Sequence, residues 1–306
     1  MLKYFKYLWR RHGPNPFDQL LKKAQEKGQK RVLLCWNRGL GDIPLGLYAL
    51  TERIRTYLSE ADITFVTRSD LGEGFKLLSS VTTYVDPLWK RRERFDLNAT
   101  LLRLGKKREE FDLIIEDPDP TRWLVWQLGR LTPRLRWDPA WDALASRLLP
   151  ESEGIPTIGL HVQTETHYDY EKNWPLDYWR ALIDKLTEGQ RACVLLFGFS
   201  ATPVLEGEGV CDLRGKTSLL ELLSLIKNRC PLLVLPDSGI LSMAYYLDVS
   251  FPLDIVSLWA DPRQGVLKQK VASPNRQLRH TPLIAPQGDL RKLSVSTVWE
   301  ALNAHA

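Results

Sequence analysis

Residues 232–247 read LLVLPDSGILSMAYYL, a short apolar run interrupted by Pro236-Asp237-Ser238-Gly239 and resumed as an apolar, helix-forming stretch. A strand that passes through a Ser-Gly turn into a helix is the repeating unit of parallel α/β sheets. Such a turn also gathers backbone N–H groups and the positive end of a helix dipole at one place, which suits an anion. Asp and Ser are common helix caps, so the same residues also read as a purely structural helix start.

The alternation recurs along the chain. Arg31–Trp36 (RVLLCW) is apolar enough for a parallel strand buried on both faces. Gly39-Leu40-Gly41-Asp42 and Pro44 follow, and Leu47, Leu50, Ile54 and Leu58 continue at helical spacing. Further strands are expected over 63–67, 81–85 and 111–116. After the breakers and charges of 149–154, a second set opens with a strand over 157–162, a helix over 175–186 and a strand over Cys193–Phe197. Trp179, Leu182, Ile183 and Leu186 form the apolar face of that helix. A helix over 219–227 starts with capping-box spacing at Ser218 and Glu221. Strands over 232–235 and 255–258 and a helix over 293–302 complete the pattern. The expected fold class is α/β, with two similar doubly wound halves, each carrying a parallel sheet, that face each other across a cleft. The expected boundaries are a basic aromatic segment 1–29, a first domain 30–150, a second domain 151–288 and a terminal helix 289–306.

Composition narrows the classes. The 306 residues carry 42 Lys and Arg against 37 Asp and Glu, a mild excess of +5. Eight of the basic residues fall within 1–30, against only Asp18 and Glu26. There Leu2, Phe5, Leu8 and Trp9 share one helical face, which fits a helix lying on an anionic membrane or one packed on the domain. No apolar run reaches the ~18 residues of a membrane span. Cys35, Cys193, Cys211 and Cys230 are scattered without CxxC or Cys/His pairing, and reduced thiols in a cytoplasmic protein are expected. His161 and His167 lack the usual metal-pair spacing, so no metal is expected. Nucleic acid is not an expected partner, because no recognised motif accompanies the basic patches.

Gly39-x-Gly41 after a strand suggests a dinucleotide fingerprint but fails as one. Its third glycine would fall at Pro44, and Asp42 would set a carboxylate beside the phosphates. An acidic residue there is better suited to accept a proton from a hydroxyl, or to cap the helix. In the second half, residues 164–173 form a polar loop after a strand, where open α/β sheets bind ligands. Lys172, just before Trp174-Pro175, can bring its ammonium to a phosphate at that end. Arg214-Gly215-Lys216-Thr217-Ser218 lacks the leading glycine of a phosphate-binding P-loop. Residues 122–141 interleave Arg122, Arg130, Arg134 and Arg136 with Trp123, Trp126, Trp137 and Trp141. That stretch reads as a binding face or as core tryptophans beneath solvated arginines.

Five segments taken together resemble the ADP-heptose:lipopolysaccharide heptosyltransferases, glycosyltransferase family nine. They are Gly41-Asp42-Ile43-Pro44; Ile158-Gly159-Leu160-His161 with Lys172-Asn173-Trp174-Pro175; Gly215-Lys216-Thr217-Ser218-Leu219; Pro236-Asp237-Ser238-Gly239; and Asp261-Pro262-Arg263. The resemblance spans residues 31–265 and implies a GT-B fold of two Rossmann-like domains. It also implies inverting transfer without a metal or other cofactor. Asp42 would be the general base toward the acceptor hydroxyl. Lys172, Asp237, Ser238, Gly239 and Ser242 would contact a nucleotide-diphosphate sugar. Gly41, Arg122 and Arg134 would lie on the acceptor side.

The implied partners are that donor, of which ADP-heptose is the first candidate, and an anionic glycolipid such as the lipopolysaccharide core. The implied location is the cytoplasm, with peripheral attachment at the inner membrane face through the N-terminus and residues 90–94. Two positions depart from the family. Ser242 stands where a histidine is common, and Glu116-Asp117-Pro118-Asp119-Pro120 stands where many members carry Asp-x-Gln-Gly. These departures favour an alternative, a catalytically silent sugar-nucleotide-binding or assembly protein of the same fold, which intact Asp42 and Lys172 oppose.

Overall fold

The computed structural model describes residues 15–93, 96–149, 155–164 and 171–304. The N-terminal aromatic face, Arg94, the breakers 150–154 and the loop residues 165–170 with His167 lie outside them. The chain divides into two compact units, one of residues up to 136 with 269–272, the other of residues 137–268 and 273–306. Both are α/β, and every strand pairing in both is parallel.

The first unit opens with α1 (Pro16–Glu26), where Asn15 accepts the Phe17 N–H at 3.0 Å and Pro16 fills the first turn. Phe17, Leu21 and Ala24 are its buried face, and the Phe17 ring stacks on Trp123 with centroids 5.0 Å apart. Strand β1 (Arg31–Trp36) is buried from its second residue on, as its run of large apolar side chains requires. It lies between β2 (Asp62–Arg68) and β4 (Leu113–Ile115), with β3 (Val81–Asp86) beyond β2, so the order is β3-β2-β1-β4. Helix α2 (Tyr48–Tyr57) buries Ala49, Leu50, Thr51 and Ile54, and α3 (Leu97–Arg103) starts on an Asp96 cap. The expected strand over 111–116 is shorter. Just before it, the Asp112 N–H donates to the Arg31 carbonyl at 2.8 Å, while its carboxylate accepts the N–H groups of Lys30 and Arg31 at 3.0 and 2.9 Å, together with the Arg31 guanidinium.

The second unit begins with α4 (Asp142–Leu148) and the central strand β5 (Thr157–His161). Gly159 on β5 is crowded on its open face. A Cβ there would stand 2.9 Å from Leu233 and 3.1 Å from the Cys230 sulfur, so any larger residue would force these buried side chains to shift. Helix α5 (Leu176–Thr187) buries Trp179, Leu182, Ile183 and Leu186, the face its sequence spacing predicts. The other strands are β6 (Cys193–Phe197), β7 (Val210–Asp212), β8 (Leu232–Pro236), β9 (Leu253–Trp259) and β10 (Leu278–Ile284), in the order β10-β9-β8-β5-β6-β7. The predicted capping box of α6 (Leu219–Arg229) is present, with Ser218 and Glu221 satisfying each other's backbone N–H groups. Helices α7 (Gly239–Tyr245), α8 (Gly265–Gln269) and α9 (Val295–Asn303) complete it.

The edge strands β7 and β10 are additional to the sequence expectation. β7 has three half-buried residues, and β10 has none that is buried, mixing half-buried and exposed positions with Arg279 and Pro282 among the exposed. All four cysteines are free, and burial raises the Cys35 and Cys230 thiols far above the ordinary range.

Candidate functional site

In an open parallel sheet, ligands sit beyond the carboxyl ends of the strands where the strand order reverses. Each sheet has one such point. In the first unit the chain runs outward from β1 to β2 and β3 and then returns to β4 on the other side of β1. In the second it runs outward from β5 to β6 and β7 and returns to β8 on the other side of β5. The reversals place the turn after β1 beside the loop after β4, and the loop after β5 beside the turn after β8.

Asp42 lies in the first of these places and is half-buried. Its carboxylate makes no cap bond to the helix it precedes. Instead Oδ2 accepts the Gly39 N–H at 3.0 Å, closing the Gly39–Asp42 turn on itself. Gly41 is half-buried, and its carbonyl accepts the Leu45 N–H at 3.1 Å. Across the reversal, Arg38 pairs with Asp117 at 2.5 Å and lies over the Trp36 ring at 5.3 Å. Arg68, at the end of β2, donates to the Arg38 carbonyl at 3.1 Å. Burial pushes the Arg68 guanidinium below its ordinary pKa, and the charge of Arg91 adds to that. Asp119 caps the next helical turn by accepting the Arg122 N–H at 2.9 Å. The Arg122 and Arg134 side chains are exposed, as are Arg130 and Arg136, while Trp123 and Trp126 are half-buried. Within this stretch of the first unit the arginines lie in solvent while the two tryptophans are half-buried.

The second unit brings Lys172 and Asp237 together. Lys172 Nζ is 2.8 Å from Asp237 Oδ2, and the side chains are only 10 and 7% exposed. The base of the loop carrying Lys172 is closed by Asn173, which accepts the Thr164 N–H at 2.8 Å and donates to the Thr164 carbonyl at 3.1 Å. Glu171 accepts the N–H groups of Lys172 and Asn173. Trp174 anchors the following segment through its Nε1 bond to the Leu293 carbonyl at 2.8 Å and its edge contact with Trp179. Asp237 thus holds a lysine, whereas Ser238 is the helix cap, accepting the Leu241 N–H at 3.1 Å. Gly239 is the first residue of α7. Ser242 is buried, and its hydroxyl donates to the Ser238 carbonyl at 3.2 Å, within its own helix.

Gly265, beside this pair, escaped sequence reasoning, while Arg214 and His161 entered it only within motifs and not as site residues. Gly265, with φ +49°, runs against Asp237, where a Cβ would meet Oδ1 at 2.4 Å and the Trp259 ring at 2.8 Å. Its only signal was its place just after Asp261-Pro262-Arg263. Arg214, whose side chain has no exposure, forks onto Asp212 through Nε at 2.9 Å and Nη2 at 2.7 Å. His161 ends β5 fully enclosed, with no hydrogen-bond partner for Nδ1 among the described residues. Burial pushes its pKa down to about 4, so it is neutral at physiological pH. No group of three or more His, Cys, Asp or Glu residues able to hold a metal occurs among the described residues.

The chain is similar to solved heptosyltransferases along most of its length. It matches Escherichia coli ADP-heptose lipopolysaccharide heptosyltransferase II with a TM-score of 0.60 at 18% identity, over 90% of this chain and 98% of that one. A glycosyl transferase of family 9 from Veillonella parvula matches with a TM-score of 0.60 at 16% identity, over 90 and 96%. The E. coli heptosyltransferase WaaC with ADP-2-deoxy-2-fluoro heptose matches at 0.53 and 16%, over 90 and 100%. At these identities the likeness establishes the fold, which is GT-B. No curated protein matches the chain in sequence. Residues 141–251, which include Lys172, Asp237, Ser238 and Gly239, match the model of glycosyltransferase family 9 (heptosyltransferase). With that match, the chain carries a glycosyltransferase family 9 domain and is an enzyme of the glycosyltransferase class.

Proposed function

We propose that the protein transfers a heptose-like sugar from a nucleotide-diphosphate donor, ADP-heptose in the first instance, to the lipopolysaccharide core or a related anionic glycolipid, with inversion and without a metal. The observation that carries this reading is the enclosed Lys172–Asp237 pair at the reversal of the second sheet. A fixed ammonium there supplies the charge that a departing diphosphate needs. The ADP and ADP-sugar named for the WaaC structures support adenine as the donor base.

In this mechanism the acceptor hydroxyl attacks the anomeric carbon on the face opposite the diphosphate. Asp42 takes the hydroxyl proton as the new C–O bond forms. The old C–O bond breaks with its electron pair going to the diphosphate, whose growing charge Lys172 and the Ser238–Gly239 amides offset. Asp237 keeps the ammonium in place and Gly239 allows close approach to the sugar. The exposed guanidiniums of Arg122 and Arg134 are the contacts assigned to the acceptor's anionic groups. Attachment at the inner membrane face is part of the proposal. Among the described residues no helix is long and apolar enough to cross a membrane.

The test is a thermal-shift titration with ADP-heptose and with GDP-, UDP- and dTDP-sugars, each with and without magnesium. A ligand that binds only the folded protein raises its melting temperature. ADP-heptose is expected to raise it equally in both conditions, and Lys172→Met to remove the rise. Asp42→Asn is expected to keep the rise and to lose turnover by on the order of 10²–10⁴. Stabilisation by none of these sugars would overturn the donor assignment, and normal turnover in Asp42→Asn would overturn the base.

A further inference from the structure

The turn that follows Asp42 is wider than an α-helical one. The Tyr48 N–H reaches back five residues to the Ile43 carbonyl, and such turns are rare and recur at functional sites. Two side chains from elsewhere in the same unit close on it. Gln127 Nε2 donates to the Leu45 carbonyl at 2.8 Å, and Gln269 Nε2 donates to the same oxygen at 3.1 Å.

Both glutamines are buried, at 3 and 4% exposure, and among the described residues neither Oε1 has a hydrogen-bond partner. An amide buried with half of its polar atoms unmatched costs stability that a methionine of similar volume would not. Packing alone therefore does not account for two such residues on one oxygen. Each is also anchored. The Gln127 N–H donates to the Leu124 carbonyl at 3.0 Å, and the Gln269 carbonyl accepts the Gly129 N–H at 2.8 Å. The turn itself is fitted closely, since a Cβ on Gly46 would stand 2.8 Å from that of Pro120.

We propose that Gln127 and Gln269 are positioning residues that hold the wide turn through the Leu45 carbonyl and thereby set the Asp42 carboxylate for its task. The role in transfer rests on the reading of Asp42 as the base. Collapse of the turn to α-helical pairing would move the residues before it by one register, roughly 100° about the axis. Because the Trp36 indole at the end of β1 holds Gly39 through its carbonyl at 3.5 Å, Asp42 would then swing away from the Gly39 N–H.

The experiment titrates the full chain, labelled with ¹³C at the Asp carboxyl carbons, and follows the Asp42 resonance by NMR. That resonance is identified by its loss in Asp42→Asn. A carboxylate that gives up an N–H bond binds its proton more tightly. Gln127→Met and Gln269→Met are each expected to raise the Asp42 midpoint by roughly half a unit or more. An unchanged midpoint in both folded variants would overturn the proposal. Amide hydrogen exchange on the unsubstituted protein tests the clamp without any variant. The Leu45, Gly46, Leu47 and Tyr48 amides are expected to exchange as slowly as those of β1, and exchange at the rate of exposed loops would overturn it. Neither readout needs a substrate, so normal turnover in Asp42→Asn would sink the base while these outcomes still decide the clamp.

Discussion

Lys172 and Asp237 join the loops after β5 and β8 by an ion pair 2.8 Å long that is almost closed to solvent. Taking one charge from such a pair strips the other of its counter-ion in a poorly solvated place, at about 3 kcal/mol or more. Lys172→Met and Asp237→Leu are each expected to lower unfolding free energy by that order in urea denaturation. The double variant is expected to lose clearly less than the two losses added, because no buried charge of the pair remains. Strict additivity would mean that the pair contributes nothing beyond its separate parts.

Gly265→Ala tests the approach of α8 to the same carboxylate. The new methyl group would meet Asp237 Oδ1 at 2.4 Å and the fully buried Trp259 ring at 2.8 Å, at a φ that favours glycine. Asp237 is held by Lys172 and the ring has no room to turn, so the overpacking should cost about 2–3 kcal/mol. The same denaturation measurement reads it. Donor-induced thermal stabilisation should fall with it, since the displaced carboxylate is the one that fixes Lys172.

His161 makes stability depend on pH. Its folded pKa is about 4 because burial disfavours the imidazolium, against about 6.5 in an unfolded chain. Between those values the unfolded state binds the extra proton. The contribution of His161 is therefore complete above pH 6.5 and is lost as pH falls toward 4, by about 3 kcal/mol in all. Melting temperatures across this window should fall less steeply for His161→Gln than for the unsubstituted protein. Parallel curves would show that His161 is as accessible to protons folded as unfolded. His280, also near 4 through burial and bonded to Ser257, remains in both proteins and cancels in the comparison.

The parts that could be read in advance were those whose cause is local. RVLLCW and CVLLF are strands because an unbroken run of large apolar side chains must be covered on both faces. Ser218 and Glu221 announced their helix because the capping box is a matter of spacing. β10 was hidden because an edge strand need bury little and can carry a charge and a proline, so Arg279 and Pro282 break the apolar run that marks an inner strand. Lys172 could be placed near the turn after β8 from strand order, yet its closure onto Asp237 depends on Asn173 folding back to Thr164. The wide turn after Asp42 had no signal of its own. Its two donors, Gln127 and Gln269, lie far from it in the chain and look like ordinary polar residues until the fold makes them converge on Leu45.

The first unit borrows residues 269–272 from within the span of the second, and with them the Gln269 amide on the Leu45 carbonyl. Recombination between relatives at a single crossover near residue 136 would therefore not exchange the first unit whole. The hybrid would join one parent's Asp42 turn to the other parent's residue at 269. An exchange that keeps the turn intact must carry both segments at once or keep position 269 compatible between the parents.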